Sequence, residues 1–156
     1  MTKAIVTGSF DPITVGHLDI IKRAAAIFDE VSAVIFVNSD KKYTFPLETR
    51  LKMLEEAVAP IPNVKTDTSG GLVAEYTEAH GITVIVRGVR GASDTDYETS
   101  LAAMNKQLGN HPDTVLLPAD PSLAHVSSTF ARELIKYGKS VEGIIPNDAA
   151  KIIGLP

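Results

Sequence analysis

The feature that most constrains the fold of this chain is an alternation, along most of its length, of short β-branched runs with stretches of helical periodicity. The β-branched runs predict five strands, at 4–6, 31–37, 64–68, 83–86 and 114–117. Strand and helix in repeated succession build right-handed βαβ units, and such units form a mostly parallel sheet that helices cover on both faces. We therefore expect an α/β domain built on a five-stranded parallel sheet.

Helices are predicted in the stretches between the strands. Three of them have apolar residues on a single helical face: Leu18, Ile21, Ala25 and Phe28; Leu47, Leu51, Leu54 and Val58; and Tyr97, Leu101, Met104 and Leu108. A shorter helix with fewer apolar positions is indicated near Leu72, Val73 and Tyr76. Each of these helices would connect two strands, as the βαβ arrangement requires.

Two further helices are predicted after the fifth strand. One of the hydroxyl residues at 127–129 can cap a helix that runs through Tyr137, and Gly138 would end it. Pro146 precedes a last short helix near 149–153.

Composition narrows the classes of function. With 156 residues, 44% of them hydrophobic, the chain is long enough for one globular domain over 1–156. The absence of cysteine excludes thiol chemistry. The four histidines are scattered without the spacing of a zinc site, so no metal-ligating residues are predicted. A net charge of −4 argues against an extended nucleic-acid surface. No apolar run nears the roughly 20 residues of a membrane span, and no secretion signal is present, which predicts a soluble, unexported protein without a membrane partner.

Segments of unusual chemistry follow the strands, whereas plain turns precede them. In chain order the segments that follow are GSFDPITVGH, NSDKKYTF, SGG, RGVRGASD and PADPSLAHVSST. In parallel α/β sheets, ligands bind beyond the carboxyl ends of the strands. This asymmetry therefore predicts a binding site at that edge of the sheet.

Three of these segments contain groups that can bind anions. In RGVRG, Arg87 and Arg90 can close on the oxygens of an anion while the glycines let the backbone approach it; its position after the apolar run TVIV favours a phosphate site over a solvated turn. HVSST places hydroxyls and amides at a helix N-terminus, which is either an anion site or only an N-cap. Lys41 either steers a polyanion or is simply solvated. Acidic residues near the next helix start are expected to complement its dipole: Asp94, Asp96 and Glu98.

The segment GSFDPITVGH, residues 8–17, combines a turn pair, two glycines and a histidine at a helix start. Asp11 with Pro12 is expected to shape the turn. His17 would converge with the basic residues above and with helix N-termini at one end of an acidic molecule, as binding of a nucleoside triphosphate requires. The glycine-rich motifs of other phosphate-binding folds are absent, so the nucleotide would be held in another way.

These motifs carry a resemblance. GSFDPITVGH resembles the [ST]-F-D-P-x-T-x-G-H signature of the nucleotidyltransferase superfamily, with T-x-G-H at residues 14–17. With RGVR, DYE and VSST at matching positions, nearly the full chain is similar to the bacterial phosphopantetheine adenylyltransferase family. The resemblance implies a Rossmann-like, doubly wound five-stranded parallel sheet with helices on both faces, and a single nucleotidyltransferase domain.

The family resemblance implies a reaction. ATP and 4′-phosphopantetheine would give dephospho-CoA and pyrophosphate, with Mg²⁺ bound together with ATP. It also implies a cytoplasmic homohexamer and feedback binding of coenzyme A. Three alternatives remain open: a nucleotidyltransferase of the same fold that uses CTP or another acceptor such as nicotinamide mononucleotide, a non-catalytic nucleotide-binding protein, and a chance mimic of the motif.

The resemblance also implies roles for individual residues. His17 would donate a hydrogen bond to the transition state, Lys41 would clamp the incoming phosphate with Arg87, and Arg90 would act on the phosphates of ATP. The implied ATP-binding residues are Ser9, Phe10, His17, Gly88, Val89, Arg90, Glu98, Leu123, Ala124, His125, Val126, Ser127, Ser128 and Thr129. The implied phosphopantetheine-binding residues are Ser9, Lys41, Val73 and Arg87. Departures from the family pattern are Ser9 for threonine, Val15 for asparagine and Thr95 for an aromatic residue.

The implied chemistry needs no general base. The nucleophile is a phosphate monoester whose second pKa is about 6, so it is mostly ionised at neutral pH. The protein must instead align two anions that repel each other and stabilise charge on the transferring and leaving phosphates. Fixed hydrogen-bond donors and cations meet that requirement.

Overall fold

The structure, a computed structural model, describes all residues from 1 to 156. The strands are β1 (Lys3–Gly8), β2 (Glu30–Phe36), β3 (Val64–Ser69), β4 (Val84–Val89) and β5 (Asp113–Pro118). The helices are α1 (Val15–Ile27), α2 (Leu47–Val58), α3 (Val73–His80), α4 (Ala92–Asn105), α5 (Ser128–Lys136) and α6 (Asn147–Ile152), with a 3₁₀ turn at Pro121–Leu123. Every strand and helix that the periodicity predicts is present, with its ends shifted.

The five strands form one sheet in the order β3-β2-β1-β4-β5, and every neighbouring pair is parallel. β1 is central, and its Val6 pairs with Ala33 of β2 on one side and with Val86 of β4 on the other. Because the strand order reverses between β1 and β4, a crevice opens there beyond the carboxyl ends of both strands. The predicted doubly wound, Rossmann-like sheet is confirmed.

Both faces of the sheet are buried. Successive residues of a strand point to opposite faces, so neighbouring residues of β1 belong to different apolar clusters. Ala4 and Val6 of β1 belong to a large apolar cluster that also contains residues of α1, α2, α5 and α6. Ile5, between them, belongs to a smaller cluster against which Val73 and Tyr76 of α3 pack. Helices on both faces therefore hold the central strands, and the loops at their ends are positioned by a rigid frame. None of the helices is long and apolar enough to cross a membrane.

The apolar face predicted for α4 is not part of the core. Tyr97 and Met104 are 65% and 64% exposed, and Leu108 lies beyond the end of the helix. The buried residue of α4 is Glu98. Because α4 packs at the sheet edge that β4 and β5 form, its outer apolar side has no second layer to contact.

β4 continues further than predicted, so the motif RGVRG begins inside the sheet and not after it. Arg87, Gly88 and Val89 pair in register with the last three residues of β5. The prediction ended this strand at residue 86 because the β-branched run stops there, and pairing with β5 extends the strand beyond that run. Gly88 also faces α1, where a Cβ atom would lie 2.9 Å from Cγ1 of Ile20. The sheet therefore fixes where Arg87 stands.

Candidate active site

A cavity of about 490 Å³ lies beyond the carboxyl ends of β1 and β4, in the predicted position. The segment 8–17, the end of β4, the start of α4 and the first turn of α5 contribute its walls. Most of the predicted site residues line it: Ser9, Phe10, His17, Lys41, Arg87, Gly88, Arg90, Glu98, Leu123, Val126, Ser127, Ser128 and Thr129. Residues that lie far apart in sequence therefore meet in one cavity.

His17 is held by the residue that caps its own helix. The backbone N–H of Thr14 donates to Nδ1 of His17 at 3.0 Å, and the Thr14 hydroxyl accepts from the His17 backbone N–H at 3.3 Å. These two contacts form a capping box in which histidine stands where glutamate or glutamine is usual. Since a backbone N–H can only donate, Nδ1 is an acceptor, and the neutral ring carries its proton on Nε2.

The surroundings of His17 keep its ring neutral. Burial, together with the positive charges of Arg87 and Arg90, lowers the pKa of His17 from 6.5 to about 4. The ring of Phe10 packs edge-on against the imidazole, with the ring centroids 5.1 Å apart. No protein acceptor contacts Nε2, so His17 presents a free N–H donor and no positive charge to a ligand in the cavity.

Arg87 is largely committed to protein partners. Its Nε and Nη2 donate to the two carboxylate oxygens of Glu98, each at 2.8 Å. Its Nη1 donates to the carbonyl and the hydroxyl of Thr7 on β1, also at 2.8 Å. One of the five guanidinium N–H groups, on Nη2, is left for a ligand. Glu98, predicted to contact ATP, is thus the residue that orients Arg87.

Arg90 is held at the start of α4. Its backbone N–H and its Nε donate to the carboxylate of Asp94, at 3.1 and 3.3 Å. Its Nη1 donates to the carbonyl of Val126 at 3.4 Å, which links β4 to the segment before α5. The side chain is 46% exposed, so its remaining N–H groups can contact a ligand.

The first turn of α5 forms a second helix N-terminus at the cavity. Ser127 is the N-cap, and its hydroxyl accepts from the backbone N–H of Phe130 at 3.0 Å. The Ser128 hydroxyl donates to the carbonyl of Pro12 at 2.8 Å and so ties α5 to the segment 8–17. The backbone N–H groups of Ser128 and Thr129 have no acceptor in the protein. Free amides at a helix N-terminus are suited to bind an anion.

Arg132 was not predicted, yet it lines the same cavity. Its Nη1 donates to the carbonyl of Asp11 at 2.7 Å, and its Nη2 donates to the hydroxyl of Thr129 at 3.2 Å. The sequence feature that could have identified Arg132 is its spacing from Thr129. A residue three positions further along a helix lies on the same side of it. The cavity thus has Lys41 and three arginines, two of which are paired with carboxylates.

Lys41 lies in the loop 38–46 between β2 and α2. Its backbone N–H donates to the carbonyl of Asn38 at 3.1 Å, whereas its ammonium group has no ion-pair partner. The carboxylate of Asp11 accepts from the backbone N–H groups of Thr44 and Phe45, at 2.8 and 2.9 Å. Asp11 is therefore occupied in holding this loop, in agreement with the structural role predicted for it.

A second cavity, of about 560 Å³, adjoins the first and shares Thr7, Arg87 and Glu98 with it. Nine of its 19 lining residues are hydrophobic, and they include Val73 at the start of α3 and Met104 on α4. Val73 therefore shares the second cavity with Arg87 and Glu98 and with none of the other predicted site residues. Three predicted ATP-binding residues line neither cavity: Val89, Ala124 and His125.

Three carboxylates line the first cavity, and each has a protein partner. Asp11 accepts two loop amides, Asp94 binds Arg90, and Glu98 binds Arg87. No group of three or more histidine, aspartate or glutamate side chains gathers as a set of metal ligands. The residues present therefore fit a metal ion that arrives on a phosphate ligand and do not fit a cage of protein ligands.

The fold and the cavity define a class: a doubly wound α/β domain with an anion-binding cavity at the switch point of its sheet, as in nucleotide-binding enzymes. A family model for cytidylyltransferase-like proteins matches residues 5–134. A phosphopantetheine adenylyltransferase of Shouchella clausii (strain KSM-K16) is 41% identical over 150 residues, which cover 96% of this chain and 94% of that protein. One of Clostridium novyi (strain NT) is 42% identical over 153 residues, which cover 98% and 95%.

The chain therefore belongs to the cytidylyltransferase-like family of nucleotidyltransferases and, within it, to the phosphopantetheine adenylyltransferases. The resemblance drawn from the motifs is confirmed. A crystal structure from Vibrio parahaemolyticus, provisionally named a nicotinate-nucleotide adenylyltransferase, superposes with a TM-score of 0.74 over 98% of this chain and 92% of that one. At 17% identity this likeness concerns the fold alone, which it supports over the whole length.

Proposed function

We propose that this chain transfers the adenylyl group of ATP to 4′-phosphopantetheine, with dephospho-CoA and pyrophosphate as products. Relatives that match nearly the whole chain carry the name of this activity. The structural observation that carries the proposal is the meeting of two cavities at Arg87. One cavity is lined by Lys41 and three arginines, and nine of the 19 residues that line the other are hydrophobic. Two substrates, each with a phosphate at this junction, fit that arrangement.

ATP would occupy the first cavity. The free amides of Ser128 and Thr129, the guanidinium groups of Arg90 and Arg132, and Nε2–H of His17 all lie there and would bind its phosphates. Mg²⁺ would be bound by phosphate oxygens of ATP and would supply further charge neutralisation when present. The chain itself would contribute donors and cations and no metal cage.

4′-Phosphopantetheine would place its phosphate at Lys41 and at the remaining Nη2 proton of Arg87. Its long amide-containing arm would extend from there into the second cavity, past Val73 and along the apolar side of α4. Leu101 and Met104 provide apolar contacts, and Asn105 provides a polar group for an amide. This placement gives the exposed apolar face of α4 a function in substrate binding.

The transfer then requires orientation and charge stabilisation. An oxygen of the incoming phosphate attacks the α-phosphorus of ATP, a new P–O–P bond forms, and the bond from the α-phosphorus to the pyrophosphate oxygen breaks. His17 donates its Nε2–H hydrogen bond to an oxygen of the reacting phosphate and keeps its proton throughout. Lys41 and Arg87 hold the nucleophile, while Arg90 and Arg132 stabilise the departing pyrophosphate.

Three further properties are proposed from the family resemblance. These are a cytoplasmic location, a homohexameric assembly, and binding of coenzyme A as a feedback inhibitor. Coenzyme A contains the same pantetheine arm as the acceptor, so it would compete for the second cavity.

Incubation of the purified protein with ATP, Mg²⁺ and 4′-phosphopantetheine tests the activity. Mass spectrometry should detect dephospho-CoA, and a coupled assay should detect an equal amount of pyrophosphate. Parallel reactions in which CTP replaces ATP, or nicotinamide mononucleotide replaces 4′-phosphopantetheine, should give neither dephospho-CoA nor pyrophosphate. A Lys41→Ala variant that turns over at the rate of the parent would contradict the phosphate clamp, and product from the alternative substrates alone would contradict the proposed function.

A further inference from the structure

Arg50 is a buried cation that the proposed chemistry does not use. It lies on α2, its residue is only 2% exposed, and no carboxylate lies within salt-bridge distance of it. Its neighbours on the helix, Met53 and Leu54, are ordinary core residues. Burying a guanidinium without a carboxylate partner is energetically unfavourable. Well-packed apolar side chains often serve a buried position equally well or better, so the charge at this position calls for another explanation.

The guanidinium of Arg50 joins two segments that are distant in sequence. Its Nη1 donates to the carbonyl of Ser9 at 2.8 Å, across 41 positions. Its Nε donates to the carbonyl of Phe45 at 3.0 Å. Its flat face covers the ring of Tyr43, with the carbon of the guanidinium 4.0 Å from the ring centroid. One side chain thus contacts both the segment that carries His17 and the loop that carries Lys41.

The loop 38–46 has few other attachments to the segment 8–17. Asp11 binds the amides of Thr44 and Phe45, so Phe45 is held through its N–H by Asp11 and through its carbonyl by Arg50. At the other end, the Tyr43 hydroxyl accepts from the backbone N–H of Asn38 at 2.9 Å and closes the loop around Lys41. Arg50 and Asp11 therefore hold the loop 38–46, called the Lys41 loop below, at a set distance from the segment 8–17.

We propose that Arg50 is a positioning residue that, by bridging Ser9 to Phe45 and Tyr43, fixes the Lys41 loop against the segment that carries His17. The inference rests on the proposed function, in which Lys41 holds the nucleophile and His17 the electrophile. Two anions that repel each other react only when both are held at reacting distance, and a displacement of about 1 Å can cost roughly a hundredfold in rate. Arginine suits this position because its planar fork serves two carbonyls while its face stacks on an aromatic ring, which lysine cannot do.

A double-mutant cycle tests this inference. Arg50→Lys keeps the charge and loses the bridge, and we expect it to lower kcat/KM for the acceptor roughly tenfold or more. In a Lys41→Ala background the same substitution should have almost no further effect, because the loop no longer carries the group that needs positioning. Losses that multiply across the two sites would overturn the proposal, since a general destabilisation acts independently of Lys41.

A matched control separates positioning from folding stability. Leu54→Ala truncates a fully buried side chain of the same helix that belongs to the large apolar cluster and makes no hydrogen bond to the loop. We expect it to lower the thermal midpoint at least as much as Arg50→Lys does while kcat/KM at a temperature well below the midpoint stays near that of the parent. An equal loss of kcat/KM in the control would overturn the proposal. If Arg50→Lys does not fold, Tyr43→Leu replaces it in the cycle, because Tyr43 is the residue on which the guanidinium of Arg50 stacks. The effect of Tyr43→Leu should depend on Lys41 in the same way.

Amide hydrogen exchange provides a readout that needs no substrate. In Arg50→Lys the amides of Thr44 and Phe45 should exchange faster, while those of β1 and α2 keep the protection of the parent. Unchanged exchange in the loop would overturn the positioning role even if the enzyme lost activity. If the parent forms no dephospho-CoA but the loop exchange responds as expected, the proposed function fails and the structural bridge stands.

Discussion

The backbone N–H of Thr14 lies 3.0 Å from Nδ1 of His17, and this contact determines which ring nitrogen carries the proton. The amide cannot accept a hydrogen bond, so Nδ1 must accept and Nε2 must donate. The low pKa of His17, about 4, keeps that tautomer uncharged at neutral pH. His17 is therefore built as a hydrogen-bond donor, whereas a general base would need a free ring nitrogen to accept a proton.

Replacement of His17 should remove a transition-state contact. We expect His17→Ala to lower kcat by about 10² or more, the usual cost of one lost donor, while the KM for ATP changes far less. Steady-state kinetics with both substrates measures this. His80→Ala, at an exposed position on α3, is the matched control and should behave as the parent. An unchanged kcat in His17→Ala would rule out the assigned role.

The stability of the free protein should depend on pH through His17. Its pKa is lowered from 6.5 to about 4, so between these values the unfolded chain binds a proton that the folded protein does not. Stability is therefore expected to fall as the pH is lowered from about 6.5 towards 4, and to be independent of this group above that window. Thermal unfolding across this range, compared with His17→Gln, measures the contribution. Identical pH profiles for the two proteins would contradict the lowered pKa.

The pair of Arg87 and Glu98 should be sensitive to loss of charge. Glu98→Gln keeps the shape but leaves the guanidinium without its bidentate partner. We expect a loss of about 1–3 kcal/mol in the free energy of unfolding and a raised KM for the acceptor, because Arg87 loses its orientation. Denaturant titration and kinetics check both effects. Asp96→Asn, an exposed change on the same helix, should leave both quantities unaltered.

A side chain at Gly88 is expected to lower both stability and activity. A Cβ atom there would lie 2.9 Å from Cγ1 and 3.1 Å from Cδ1 of Ile20, so Gly88→Ala should push α1 away from β4. The expected cost is about 1–3 kcal/mol of stability, with a fall in kcat because α1 carries His17. Gly91→Ala is the control, since a Cβ atom at that extended position meets nothing within 4 Å. A fully active and stable Gly88→Ala protein would show that α1 adjusts without consequence.

Arg132 should contribute to ATP binding although no motif assigned it. Arg132→Ala is expected to raise the KM or Kd for ATP roughly tenfold, the usual scale for a hydrogen bond to a charged group. Isothermal titration with a non-hydrolysable ATP analogue isolates binding from turnover. Lys136→Ala, four residues further along α5 and outside the cavity, should leave the affinity unchanged. Equal losses in the two variants would indicate a general charge effect and no contact by Arg132.

The parts of the site that could be predicted are those in which a short sequence pattern determines the structure of the same short segment. The cap predicted among residues 127–129 is Ser127, whose hydroxyl bonds the backbone amide of Phe130, three positions away. The rule that ligands gather at the carboxyl ends of parallel strands brought segments from four connections to one edge of the sheet. The departures arose where a partner distant in sequence changes a residue's surroundings, as when pairing with β5 carries Arg87 and Gly88 into the sheet.

The sequence by itself determined the succession of strands and helices along the chain, the parallel sheet and the position of the motifs proposed to bind phosphate, because periodicity and capping depend on neighbours within about four residues. Only the tertiary structure decided which charged groups are free to meet a ligand. Glu98 engages Arg87, Asp11 engages the Lys41 loop, Arg132 enters the cavity, and the apolar side of α4 is left uncovered. The physical reason is that an ion pair or a buried guanidinium is defined by distances of about 3 Å between segments tens of residues apart, which no local pattern contains.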